Sequence, residues 1–284
     1  MIGAIYGDIV GSVYEFDNVK TKDFELICED SGFTDDTVMT LAVARALARY
    51  DEAVKDPDRA KARNGRGEQW CPMREMKDLF GSFLVTEMHR LGEAYPRAGY
   101  GGRFWVWLTT KSTEPYGSFG NGSAMRVSPV AWYAHSLSEA IDLAKASAEV
   151  THDHPEGIKG AAVTAGAIYL ARTGATMEKI HSFVAKYYQM DFTLDEIRPT
   201  YSFNETCQGS VPQAMQAFFE SESFEDAIRN AVSIGGDSDT IAAIAGSVAE
   251  AYYGVGEEEA RVVAEKLDPP LLMILDDFLK RFVW

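Results

Sequence analysis

Two things are scarce in this chain, and each scarcity removes a class of explanation. Cysteine occurs three times in 284 residues, as Cys28, Cys71 and Cys207, widely spaced and without a CxxC pair. That spacing builds neither a disulfide framework nor a cysteine zinc site, and it fits a reducing, cytoplasmic setting. Positive charge is also short: 27 Lys and Arg stand against 43 Asp and Glu, a net charge of −16. With no compensating basic stripe, nonspecific binding of nucleic acid or of an anionic membrane surface is not expected. No apolar run approaches the roughly 18 residues that a membrane helix requires. The opening segment, Met1 to Asp8, has no basic leader-like region. A soluble cytoplasmic monomer is the expectation.

Sustained period-2 alternation is missing too, apart from a short extended piece expected at Phe24-Glu25-Leu26-Ile27-Cys28. What is present is helical periodicity along nearly the whole length, with 46% apolar residues to fill a core. Helix starts are signalled at Ser136 with Glu139, at Thr176, and at Ser223 with Asp226, and stops at Gly174 and Gly254. Small residues from Gly157 to Ala167 predict closely approaching helix backbones. The charged stretch Asp51 to Asp78, containing Asn64-Gly65-Arg66-Gly67, reads as an exposed excursion. The reading is an all-α, compact multi-helix bundle, residues 1–284 forming a single domain.

The chemistry concentrates in two acidic runs two hundred residues apart. Thr34-Asp35-Asp36-Thr37 and Asp237-Ser238-Asp239-Thr240 each launch a nearly wholly apolar helical stretch. Asp at a helix start is an ordinary cap. Two runs of like grammar, however, place four carboxylates at the mouths of two core helices, where burial is costly unless a cation compensates. Oxygen-only donors suit a hard cation, Mg²⁺ first and Mn²⁺ or Ca²⁺ after it, and four acids match two ions better than one.

Other segments are open to two readings each. Gly117-Ser118-Phe119-Gly120-Asn121-Gly122-Ser123-Ala124-Met125-Arg126 is either a phosphate-cradling loop running into a helix, with Phe119 placed to stack on a base, or a plain turn. It lacks the Gly-Lys-Ser/Thr ending of a Walker loop. Thr151-His152-Asp153-His154 either bonds a ligand hydroxyl or phosphate or simply ends a helix. The i, i+4 spacing places Gly7, Gly11 and Glu15 on one helical face, which sets Glu15 at a cleft edge or leaves it on the surface. The aromatic stretch Tyr100 to Leu108 either walls a pocket or belongs to the core. An all-α prenyl-diphosphate enzyme would need DDxxD, but no further acid stands among Val38, Met39 and Thr40.

Taken in order, GDxxGxxxE at Gly7 to Glu15, TDDT at Thr34 to Thr37, the glycine loop at Gly117 to Arg126, Thr151-His152, and GGDSDT at Gly235 to Thr240 resemble the ADP-ribosylglycohydrolase family. The resemblance spans nearly the whole chain. It implies an all-α domain, two Mg²⁺ ions, and hydrolysis of the bond joining ADP-ribose to a modified target. On matching positions, Thr34, Asp35, Asp36 and Asp239 would hold one ion. Asp237, Asp239 and Thr240 would hold the other, with Asp239 shared. Ser118, Phe119, Gly120, Asn121, Gly122 and His152 would bind ADP-ribose, Phe119 by stacking on adenine. Asp36 and Glu15, with Asp35 beside them, would form the catalytic group, either of the first two activating water. Arginine is the favoured acceptor, because the short chain and its motifs are similar to the family's dinitrogenase reductase-activating members. The alternative is a noncatalytic ADP-ribose-binding or crystallin-like structural member.

Overall fold

A computed structural model describes residues 1–55 and 72–283. The middle of the expected charged excursion, including Asn64 to Gly67, lies outside the described residues. The chain winds through α1 (Ile2–Gly11), α2 (Asp35–Lys55), α3 (Pro72–Ala94), α4 (Gly102–Thr109), α5 (Gly122–Met125), α6 (Ser128–Tyr133), α7 (Leu137–Glu149), α8 (Pro155–Arg172), α9 (Met177–Val184), α10 (Leu194–Ile197), α11 (Cys207–Phe219), α12 (Phe224–Ser233), α13 (Ser238–Tyr253), α14 (Glu257–Lys266) and α15 (Pro269–Phe282). The expected all-α class holds: among the described residues the only β pairing is an isolated bridge between Gly120 and Thr206. Phe24 to Cys28 forms no strand. It is an irregular connection tied down by single bonds, from Tyr14 Oη to the Glu25 carbonyl and from Arg229 Nη1 to the Phe24 carbonyl.

Local signals set the helix starts. The side chains of Ser136, Thr176 and Ser223 accept from the backbone N–H of Glu139, Lys179 and Asp226, satisfying donors that a helix N-terminus leaves without partners. Gly174 and Gly254 adopt positive φ just past helix ends.

α13 runs through the centre, buried from Ser238 to Glu250, with α1, α8, α11 and α12 packed around it. Its closest neighbour is α1. A Cβ added at Gly3, Gly7 or Gly11 would sit 2.3, 2.2 and 2.3 Å from Gly246 O, Ala242 O and Asp239 Cα respectively. The i, i+4, i+8 stripe therefore lets two backbones touch with no side chain between them. Glu250 of α13 also accepts from the N–H groups of Ile2 and Gly3 at 3.1 and 2.8 Å, capping α1 from outside. The consequence for the site is positional: the C-terminal end of α1 lies against the N-terminal end of α13. On the small-residue face of α8 the glycines make room for side chains instead, Gly160 meeting the Cys207 thiol and Gly166 the Phe183 ring.

Candidate metal and ligand site

Asp8, on α1, organises the acidic centre. It is fully buried, and its carboxylate accepts from Thr34 N–H at 2.9 Å, Thr34 Oγ1 at 2.6 Å, Thr37 N–H at 3.1 Å and Thr37 Oγ1. A residue of α1 thus caps the N-terminus of α2 from outside, fixing where Asp35 and Asp36 emerge. The sequence assigned Asp8 no role, because its partners lie more than twenty-five residues away.

The two acidic runs meet. Thr240 Oγ1 donates to Asp36 Oδ2 at 3.0 Å, Thr34 Oγ1 lies 3.4 Å from Asp239 Oδ2, and Thr240 N–H donates to Asp239 Oδ1 at 2.9 Å. Gly235 and Gly236, both at positive φ, turn the chain just before Asp237, which only glycine does without strain. Asn121 Nδ2 then donates to Asp237 Oδ2 at 2.6 Å and to Ser210 Oγ at 2.9 Å. Side-chain oxygens of Asp8, Asp36 and Asp239 lie within 4.8 Å of one another, and so do those of Glu15, Asp237 and Asp239. Asp239 belongs to both groups. Asp35 stands beside them, partly buried, its backbone N–H bonded to the Ala98 carbonyl at 2.7 Å.

Like charges this close, and buried, resist ionisation. Burial first and Asp239 and Asp8 next hold Asp35 and Asp36 well above the usual carboxylate range. Asp239 is raised well above it by burial and then by Asp237, Asp237 by burial to about 6, and Glu15 to about 8 by burial, Asp239 and Asp8. Among the described residues no Lys or Arg pairs with any of them. The N-termini of α2 and α13 face the cluster and favour its negative charge, but they supply only partial compensation. The donor set fits a hard cation, and one atom speaks for it directly: Asp36 Oδ1 is buried without a hydrogen-bond partner. Asp8 fits such a role poorly, since four donors already occupy its oxygens.

Facing the carboxylates is a cavity of about 320 Å³ whose walls include Glu15, Ser118 to Gly122, His152, the Gly101 to Phe104 end of α4, and Phe203. The glycine segment is an anchored loop. Asn121 N–H bonds the Glu205 carbonyl, Cys207 N–H bonds the Phe119 carbonyl, and Ser118 N–H bonds the Thr151 carbonyl. The helix it enters, α5, is a single turn, so its dipole adds little and the loop's own backbone makes the wall. Phe119 is 41% exposed, its ring 5.3 Å from that of His154. His152 is buried and its Nε2 faces the turn, 3.1 Å from a Cβ added at Gly122. Asn121 lines the cavity but spends its amide on Asp237.

Glu15 reaches this cavity by a route other than the expected one. α1 ends at Gly11, whose carbonyl accepts from Tyr14 N–H at 2.8 Å instead of from Glu15. Glu15 therefore sits just past a tight turn that ends the helix, half-buried, and shares no helical face with Gly7. Nothing in Ser12-Val13-Tyr14 announces that stop.

This geometry coincides with a match of residues 1–274 to the model of the ADP-ribosylglycohydrolase family. The chain belongs to the ADP-ribosylglycohydrolase family. Among its relatives, ADP-ribosylhydrolase ARH3 of Mus musculus is 26% identical, with 94% of this chain and 89% of that protein aligned. ADP-ribosylarginine hydrolase Tri1 of Pseudomonas putida (strain GB-1) is 28% identical over 90% of this chain and 70% of its own length. ADP-ribosyl-[dinitrogen reductase] glycohydrolase of Rhodospirillum rubrum is 27% identical over 90% of this chain and 85% of its own. A solved structure, an ADP-ribosylglycohydrolase-related protein complex, superposes with a TM-score of 0.63 at 22% identity, covering 98% of this chain and 96% of that one, which speaks for the fold. As in the sequence reading, no described helix is long and apolar enough to cross a membrane. Site residues that sequence reasoning passed over are Asp8 and Arg126, both inside quoted motifs, and Phe203, which carries no motif signal.

Proposed function

We propose that this chain is a Mg²⁺-dependent hydrolase that cleaves the glycosidic bond between ADP-ribose and a modified target and releases free ADP-ribose. One observation carries the reading: a buried carboxylate cluster, with an unpartnered Asp36 Oδ1, faces a glycine loop and His152 across one cavity. Thr34, Asp35, Asp36 and Asp239 would hold one ion and Asp237, Asp239 and Thr240 the other, with Mn²⁺ as a substitute. When bound, such ions supply charge compensation and Lewis acidity at the ribose hydroxyls.

The chain's own groups do the rest. Ser118 to Gly122 line the diphosphate side, Phe119 offers an exposed ring to adenine, and His152 bonds the ligand between them. Asp36 commits Oδ2 to Thr240, whereas among the described residues no hydrogen bond holds the Glu15 carboxylate. Glu15 is therefore the better acceptor for the proton of an attacking water. The water oxygen bonds the anomeric carbon, the bond to the target breaks, and the proton passes to the leaving group.

Arginine is the favoured acceptor. The Pseudomonas relative is named for ADP-ribosylarginine, and here the rim beside Glu15 carries Phe16 and Phe203, 86% and 49% exposed, with centroids 6.4 Å apart and planes 19° from parallel. Flat exposed rings beside an acid suit a planar guanidinium. We read residues 1–284 as one domain acting as a cytoplasmic monomer. The test is a panel of arginine-, serine- and nucleic-acid-linked ADP-ribose, each with Mg²⁺ and with excess EDTA. Release of ADP-ribose that needs Mg²⁺ is expected, fastest from arginine. Full activity in EDTA would sink the proposal, and tight ADP-ribose binding without turnover of any substrate would replace it with the noncatalytic alternative.

A further inference from the structure

Behind the glycine loop, a buried Arg126 and Thr151 to which the proposed chemistry gives no role run up to His152. Arg126 is 1% exposed, yet among the described residues it pairs with no carboxylate and its Nε has no hydrogen-bond partner. Its Nη2 donates to the Ser147 carbonyl at 2.8 Å and to Thr151 Oγ1 at 3.0 Å. Thr151, fully buried, has its Oγ1 2.7 Å from His152 Nδ1. His152 Nε2 faces the loop, 3.1 and 3.6 Å from where a Cβ would lie on Gly122 and Gly120.

The direction of these bonds follows from the donor inventory. Guanidinium has donors only, so Thr151 Oγ1 must accept from Arg126. The hydroxyl has one proton, and among the described residues the only remaining neighbour that can take it is His152 Nδ1. Were Nδ1 protonated instead, the Thr151 hydroxyl would receive two donors and its own proton would be buried with no acceptor. Nδ1 is therefore the acceptor and Nε2 carries the hydrogen. We propose that Arg126, Thr151 and His152 form a one-way hydrogen-bond relay that fixes His152 as an Nε2–H donor toward the Gly120 to Gly122 turn. The ligand group meeting it must then be a hydrogen-bond acceptor, such as a diphosphate oxygen. The uncompensated guanidinium behind it favours the same anionic group. This assignment rests on reading the cavity as an ADP-ribose site, while the relay itself does not.

Arg126 and Thr151 are positioning residues here, and burial, Arg126 and Arg103 all hold the imidazole well below its usual pKa, keeping it neutral. Gly122 and Gly157 leave the room: a Cβ on Gly157 would lie 3.0 Å from His152 Cβ.

Nitrogen-15 long-range correlation spectra of the histidine-labelled full chain, without ligand, read the tautomer directly, the His152→Gln variant identifying its signal. The expected pattern is an Nε2-protonated ring that persists from about pH 8 to about pH 6. An Nδ1-protonated ring overturns the relay without any variant having to fold. Calorimetric titration with ADP-ribose then compares Thr151→Val with Thr151→Ser: the first should lose roughly tenfold in affinity, and the second, which restores the hydroxyl, should stay within about twofold. Equal binding by the two variants overturns the proposal. An Nε2-protonated His152 in a protein that does not bind ADP-ribose upholds the relay and sinks the substrate reading instead.

Discussion

Thr240 Oγ1 donates to Asp36 Oδ2 at 3.0 Å across 204 residues of sequence. The bond joins the first turn of α13 to the first turn of α2 and leaves the other Asp36 oxygen buried without a hydrogen-bond partner. An oxygen held in that way is placed to bind a cation.

Asp36→Asn keeps an acceptor for Thr240 but removes the negative charge. Mg²⁺ binding measured by calorimetry should weaken strongly, and ADP-ribose release should fall by roughly 10²-fold or more, because metal-derived stabilisation amounts to several kcal/mol. The fold should survive. Unchanged Mg²⁺ affinity in a folded variant would remove Asp36 from the ligand set.

Stability against pH separates a bare cluster from a filled one. Asp35, Asp36 and Asp239 sit well above the usual carboxylate range, Asp237 at about 6 and Glu15 at about 8. Groups raised in the folded state bind protons that the unfolded chain has already lost, so their contribution is complete below the unfolded pKa and disappears as pH rises through the folded one. His152 and the Met1 amino group, both lowered by burial, act with the opposite sign below about pH 6.5 and about pH 8, but they are two groups against six once the raised Asp8 is counted. Without divalent ions the melting temperature should therefore fall between about pH 5 and pH 8. Added Mg²⁺ should flatten that fall. Melting curves that run parallel with and without Mg²⁺ would contradict it.

Asp8→Asn replaces an acceptor of four hydrogen bonds by a group with one acceptor oxygen and two donors. In Mg²⁺-saturated protein the expected loss is about 2–4 kcal/mol in a urea titration, since buried donors of Thr34 and Thr37 go unpaired. Thr37→Val should share part of that loss. Measuring the two variants and their combination tells whether the effects run through the same bonds, in which case they do not add.

Gly11→Ala tests the approach of α1 to α13. The new methyl would stand 2.3 Å from Asp239 Cα, so the helices must part, at a cost of about 1–3 kcal/mol and with weakened Mg²⁺ binding. Gly32→Ala, with nothing within 4 Å of its Cβ, is the control and should change neither. If both variants behave alike, backbone contact along this stripe does not set the site.

The all-α class and the helix starts were legible because they are local: periodicity and capping side chains act within a few residues, as at Ser136, Thr176 and Ser223. The meeting of the acidic runs was legible because the same grammar occurs twice, and buried acids are costly unless a cation compensates them. Asp8 was not legible. A single Asp in a helix looks like any other until α2 arrives to be capped by it. Glu15 was misplaced because i, i+4 spacing assumes that a helix continues, and Tyr14 N–H takes the Gly11 carbonyl first. Arg126 stood in a quoted motif, yet only the fold shows that among the described residues no carboxylate pairs with it in the core.

The pairing of α1 with α13 has a bearing on how the protein is made. One strip of the interface lies among the first eleven residues and the other beyond residue 238. During synthesis the early helix must wait for its partner, and Asp8 with it, so a ribosome that has delivered most of the chain has delivered no assembled centre. The carboxylate cluster is therefore complete only once α13 has emerged and docked on α1.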